Sequence, residues 1–198
     1  MSPSPTTLLR AGSMTFFTGP MFCGKTLELI RHLQIFQQQE IPLICLRPAI
    51  DTRNATLESR SGMKLDGQTV DPEDLEGIKE LVREKWVIGV DEINFFTPEI
   101  VPILVEELRR GKTILLSGID TNFRGELFPT TQAILAIPET IVQRSRSVCS
   151  VCRQHNATRT QRLRNGQPVP KEDPMVLVEG SAANVTYEAR CLEHHILG

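Results

Sequence analysis

The run Gly19-Pro20-Met21-Phe22-Cys23-Gly24-Lys25-Thr26 constrains this chain more than any other segment. It fits G-x-x-x-x-G-K-[ST] in full. Such glycines let the backbone fold into a nest of N–H groups that face phosphate oxygens, and the helix that follows adds its positive end. Lys25 is expected at the β- and γ-phosphates and the Thr26 hydroxyl on Mg²⁺, so all eight residues are candidate ATP contacts. The plain alternative is a glycine turn ahead of an ordinary helix. Context favours the nucleotide reading. The β-branched and aromatic run Met14–Thr18 predicts a strand entering the loop. Leu27, Ile30, Leu33 and Phe36 fall on one face of a helix expected over Leu27–Gln39.

Further strands are expected at Pro42–Leu46, Trp86–Val90, Lys112–Ser117 and Ile141–Ser145. Trp86–Val90 lacks alternation, as a strand buried on both faces does. Thr97-Pro98 opens a helix that Gly111 closes. Strands alternating with helices imply an α/β fold, a parallel sheet covered by helices. Asn54–Thr69 is polar, carries Gly62 and Gly67, and reads as a mobile loop. From Cys149 helical periodicity disappears. The domains expected are a loose tail over 1–13, a P-loop domain over 14–147 and a small metal-binding domain over 148–198.

Lys and Arg number 22 against 24 Asp and Glu, a net charge of −2. That balance gives no reason to expect nucleic acid or an anionic membrane as partner. No apolar run approaches the ~20 residues that span a bilayer, and nothing at the N-terminus has the form of a secretory signal. A cytoplasmic location is expected.

Asp91 ends the apolar run Val87-Ile-Gly-Val90, where a P-loop protein keeps the Asp that holds Mg²⁺. Its neighbour Glu92 is the candidate general base, a carboxylate free of the metal. The same spacing would serve a Glu that activates water in an ATPase. Cys149-x-x-Cys152 and Cys191-x-x-His194 have the spacing of a closed, structural zinc site. His195 is a rival fourth ligand, and spacing favours His194. Cys23 and Cys45 read as apolar fillers, His32 and His155 as surface residues. A nucleotide-switched nucleic-acid binder is a second reading. Between Cys149 and Gly198, however, Arg153, Arg159, Arg162, Arg164, Lys171 and Arg190 are nearly balanced by Glu172, Asp173, Glu179, Glu188 and Glu193.

Five segments in order resemble the type II, zinc-containing thymidine kinase family, from about Met14 to His194. They are the P-loop, with Cys23 where Ser is more usual; Asp91-Glu-Ile-Asn-Phe-Phe96; Gly118–Phe128; Ala157–Arg162; and Tyr187–Cys191. The resemblance implies a RecA-like sheet domain and a small zinc-ribbon domain whose loop, a lasso, closes over the nucleoside. It implies ATP and thymidine as substrates, Mg²⁺ with the ATP, structural Zn²⁺, Glu92 as catalytic base, and Arg53 near the phosphates. Met21, Phe95, Phe123, Phe128 and Tyr187 would surround or support the base, with Thr160, Val176, Val178 and Gly180 lining it. A homotetramer and feedback inhibition by dTTP are implied too. Ile93 and Asn94 depart from the family pattern and are expected to reshape the rim of the pocket.

Overall fold

The computed structural model describes residues 12–49, 56–58, 64–177 and 184–198. Arg53, Val178, Gly180, most of the expected tail and much of the expected 54–69 loop lie outside them. The chain runs β1 (Ser13–Thr18), α1 (Lys25–Gln38), β2 (Leu43–Pro48), β3 (Thr56–Glu58), β4 (Lys64–Asp66), β5 (Gln68–Val70), α2 (Leu75–Arg83) and β6 (Val87–Val90). It continues through α3 (Ile100–Arg109), β7 (Thr113–Gly118), α4 (Pro129–Leu135), β8 (Thr140–Arg144), β9 (Arg159–Arg164), β10 (Gln167–Pro168) and β11 (Val185–Arg190).

Six strands form a sheet in the order β5-β2-β6-β7-β1-β8, each pair parallel. Period-2 alternation sends neighbouring residues of one strand into different cores. Phe16, Leu46, Ile88, Val90, Ile114 and Leu116 pack with Ile78, Val82, Ile100, Leu104 and Ile134 from α2, α3 and α4. Phe17, Cys45, Val87 and Leu115 face the other way, onto Leu29, Ile30 and Leu33 of α1. With both faces covered, β6 is buried along its whole length, which is why its sequence shows no alternation.

Strands between Arg159 and Arg190 build a separate three-stranded antiparallel sheet, β10-β9-β11. Strands and helices fall where the sequence places them to within a few residues. The helix expected from Thr97-Pro98 starts at Ile100, after a turn in which Ile100 and Val101 donate to the Thr97 and Pro98 carbonyls at 3.2 and 3.0 Å.

The described part of 54–69 corrects the loop expectation. β3 and β4 pair antiparallel, Leu65 is buried beneath α1, and β5 joins the sheet edge beside β2. Strands of three residues are too short to show alternation. His32 is also less of a surface residue than expected: it is half-buried, with its ring 4.9 Å from that of Phe17.

Candidate active site and metal cluster

A parallel sheet carries the C-terminal ends of its strands to one edge, where ligands of such folds bind. Three neighbouring strands, β6, β7 and β1, deliver there Asp91, Ser117 and the loop Gly19–Gly24. The loop turns tightly, with φ of 86° at Gly24, a conformation that costs a residue with a side chain but not glycine. Lys25 and Thr26 open α1 directly after it. Lys25 Nζ donates to the Pro20 carbonyl at 2.8 Å, so its charge is held against the loop. Cys23 Sγ lies 3.9 Å from that ammonium, and burial pushes its thiol up from its ordinary value.

Asp91 is the centre of the polar cluster. The Thr26 hydroxyl donates to its Oδ1 at 3.2 Å, and the Ser117 hydroxyl donates to the same oxygen. Asp91 is buried, and burial raises its carboxyl from the ordinary value while hydrogen bonds from Ser117, Thr26 and the Glu92 amide pull it back. Glu92 follows in the left-handed region, φ 49° and ψ 44°, where residues other than glycine are strained. Its carbonyl accepts from the Phe95 amide at 2.9 Å and starts the 3-10 turn Ile93–Phe95. A carboxylate held at backbone cost on the functional edge is the kind of outlier that points to use. Sequence reasoning missed Ser117, which closes the apolar run Ile114-Leu-Leu.

The departures at 93 and 94 do something other than expected. Ile93 is wholly buried in the core. Asn94 is buried too, and its Oδ1 accepts from the Ile119 amide at 3.1 Å, bracing the chain after β7. Its Nδ2 has no hydrogen-bond partner.

Four of the candidate nucleoside residues form two pairs. The Met21 amide donates to the Thr160 hydroxyl at 3.2 Å, joining the phosphate loop to β9. Phe123 and Tyr187 flank the Arg162 guanidinium, 4.3 and 5.3 Å from their ring centroids. Phe128 is buried at the N-terminus of α4, its amide donating to the Asp120 carbonyl. Phe95 is half-buried, whereas Phe96 is in the core. Val176 is exposed. A surface recess bounded by Gln37, Ile41, Cys45, Leu65, Gln68 and Lys85 contains none of these side chains.

Cys149, Cys152, Cys191 and His194 offer four ligand atoms within 4.8 Å of one another, a group that could hold a metal ion. His194 Nδ1 lies 3.0 Å from Cys191 Sγ and 3.9 Å from Cys149 Sγ. Burial opposes ionisation of Cys149, but the backbone N–H groups of Cys152, Cys191 and Val151 outweigh it and bring the thiol down to about 6. Three sulfurs and one imidazole nitrogen are the donor set of a closed tetrahedral site. His195 faces elsewhere: its Nε2–H donates to the Phe123 carbonyl at 2.7 Å, and burial holds the ring below its ordinary value.

The thymidine kinase family model matches residues 12–195. The chain belongs to the thymidine kinase family. The thymidine kinase of Coprothermobacter proteolyticus is 39% identical over 93% of this chain and 90% of its own length. That of Thermococcus kodakarensis is 38% identical over 94% and 95%. A thymidine kinase of Pyrobaculum aerophilum is 35% identical over 93% and 98%. Among solved structures, the Pif1 helicase of Candida albicans is 14% identical, covers 67% of this chain and 36% of its own, and has a TM-score of 0.39, too low to bear on function.

Proposed function

We propose that the chain transfers the γ-phosphoryl group of ATP to the 5′-hydroxyl of thymidine. The observation that carries this reading is the convergence of the Thr26 and Ser117 hydroxyls on Asp91 beside the phosphate loop, in a chain 39% identical to a thymidine kinase. Lys25 and the loop amides hold the ATP phosphates, and Arg53 steadies the transferring group. Thr26 and Asp91 would hold the Mg²⁺ that accompanies ATP, which would supply neutralisation of phosphate charge. Glu92 takes the proton of the 5′-hydroxyl as O5′ bonds to the γ-phosphorus, the bond to the β-phosphate oxygen breaks, and ADP leaves.

Met21, Phe95, Phe123, Phe128, Thr160, Val176, Val178, Gly180 and Tyr187 form or support the thymine site. Flat, neutral bases suit such apolar and aromatic walls with a few backbone hydrogen bonds. Cys149, Cys152, Cys191 and His194 would hold zinc, which would supply a structural tie for the domain spanning 148–198. Among the described residues no helix is long and apolar enough to cross a membrane. The resemblance to the zinc-containing thymidine kinases supports a cytoplasmic homotetramer inhibited by dTTP.

The test is ATP·Mg²⁺ with thymidine, deoxycytidine, deoxyguanosine and deoxyadenosine in parallel. Product from thymidine alone is expected, and ATP consumption without a nucleotide product overturns the kinase reading. Glu92→Gln is expected to retain ATP binding and to lose roughly a hundredfold or more in kcat, the range for a general base. An active Glu92→Gln enzyme removes that role.

A further inference from the structure

Arg162 lies two residues beyond Thr160 on β9, so both side chains leave the same face of the strand. It is among the most deeply buried side chains, 2% exposed. Its Nε donates to the Tyr187 hydroxyl at 2.9 Å. One terminal nitrogen donates to Asp173 Oδ2 at 3.1 Å and to the Pro174 carbonyl, the other to the Met175 carbonyl at 2.8 Å. The Tyr187 hydroxyl in turn donates to the Leu177 carbonyl at 2.5 Å.

Asp173 is itself buried, and its second oxygen accepts from Arg164 at 2.6 Å. Arg124, in the loop after β7, donates to the Lys171 carbonyl at 2.6 Å and the Asp173 carbonyl at 2.5 Å. The chain from 171 to 177 is therefore gripped through its carbonyls. Val176, between two residues whose carbonyls are held, stays 40% exposed.

A buried ion pair contributes little net stability once desolvation is counted. The distribution of donors over successive carbonyls points to another use, because a planar fork fixes direction as well as distance. We propose that Arg162, pinned by Asp173, is a positioning residue for the nucleoside: it sets the backbone at Val176 and the ring of Tyr187 against thymidine without touching it. This rests on the thymidine reading above and adds to it a residue that orders the chain from 171 to 177.

Steady-state kinetics of the full chain, varying thymidine at saturating ATP and the reverse, test the proposal beside a thermal melt of each variant. Arg162→Lys keeps the charge and loses the fork. It is expected to raise the thymidine KM roughly tenfold while leaving the ATP KM unchanged, with kcat within about threefold, as loss of uniform binding does. Asp173→Asn shifts the same constant, and the double variant falls short of the sum because the two act as one unit. Arg124→Gln leaves the buried pair intact, so it reports even where Arg162→Lys does not fold; the thymidine KM rises by about threefold.

A folded variant with unchanged thymidine KM, equal losses for both substrates, or additive effects in the double variant overturns the proposal. Wild-type protein that makes no thymidine monophosphate overturns the underlying reading, and does so before any variant is compared.

Discussion

Burial drives the Asp91 carboxyl upward, and the hydroxyls of Ser117 and Thr26 with the Glu92 amide recover only part of the shift. The folded chain therefore binds a proton more tightly than the unfolded one, whose carboxyl has the ordinary value of 3.8. Stability from that proton is present at low pH and is lost as pH rises through the raised value. Above that raised value the ionised side chain opposes folding. Asp91→Asn is expected to stabilise the ligand-free protein by on the order of 1 kcal/mol at neutral pH while removing kinase activity. Melts across a pH series check it: the gain must shrink toward pH 4, and a constant gain refutes the linkage. Ser117→Ala removes a donor that favours the charged form, so the acid limb of the rate profile should move to higher pH; an unmoved limb would sever Ser117 from the site. Lys25 and Thr26 could be placed because the P-loop motif fixes their spacing, and Asp91 because it follows an apolar strand. Ser117 could not, because its role exists only once β7 lies between β6 and β1.

Lys112 ties together elements that the sequence leaves unrelated. Its ammonium donates to the Val82 and Arg83 carbonyls at 2.8 and 2.7 Å, at the end of α2, where carbonyls lack helical partners. It also meets Glu107 of α3 as a buried ion pair, in which Glu107 Oε2 takes no directional hydrogen bond. Lys112→Met leaves a buried carboxylate with only the half-exposed Arg110 beside it. A loss of about 3–5 kcal/mol is expected in urea unfolding, and replacing both partners should cost less than replacing the lysine alone. At the start of α2, Asp74 accepts from the Gly77 amide at 3.0 Å, and Asp74→Ala should cost about 1 kcal/mol. The long strands and α1 could be read from periodicity. By contrast α2, α4, β5 and the β3–β4 pair are short, and their order comes from tertiary partners such as Ile78 and Val82 in the core or Arg47 Nε donating to the Thr69 hydroxyl at 3.0 Å.

The buried apolar cluster beside the three-stranded sheet is small, Cys149, Ala157, Ala189 and Cys191, with Leu163, Val169 and Val185 buried outside it. Three of the four metal-ligand candidates border or belong to that cluster, so a metal held there would tie its residues together. Chelation is expected to abolish hydrogen-exchange protection in β9 and β11 while the six-stranded sheet keeps its own, splitting the melt in two. A single unchanged transition after complete metal removal would show that the sheet stands without it. The four clustered side chains could be picked out by spacing, with His195 as a rival. The contacts between the two parts could not, since Met21 and Thr160 are 139 residues apart and Phe123 and His195 are 72 apart.

Those cross-contacts decide what can be inherited together. A crossover between Ser147 and Val148 would keep both hydrophobic interiors from their own parents and leave the Phe22–Ser147 hydrogen bond whole. It would divide Met21 from Thr160 and Phe123 from His195. Chimeras of two relatives joined there can fold in both halves and still seat the phosphate loop badly against β9. The unit that recombination has to preserve is the seam, and it cuts across the two sheets.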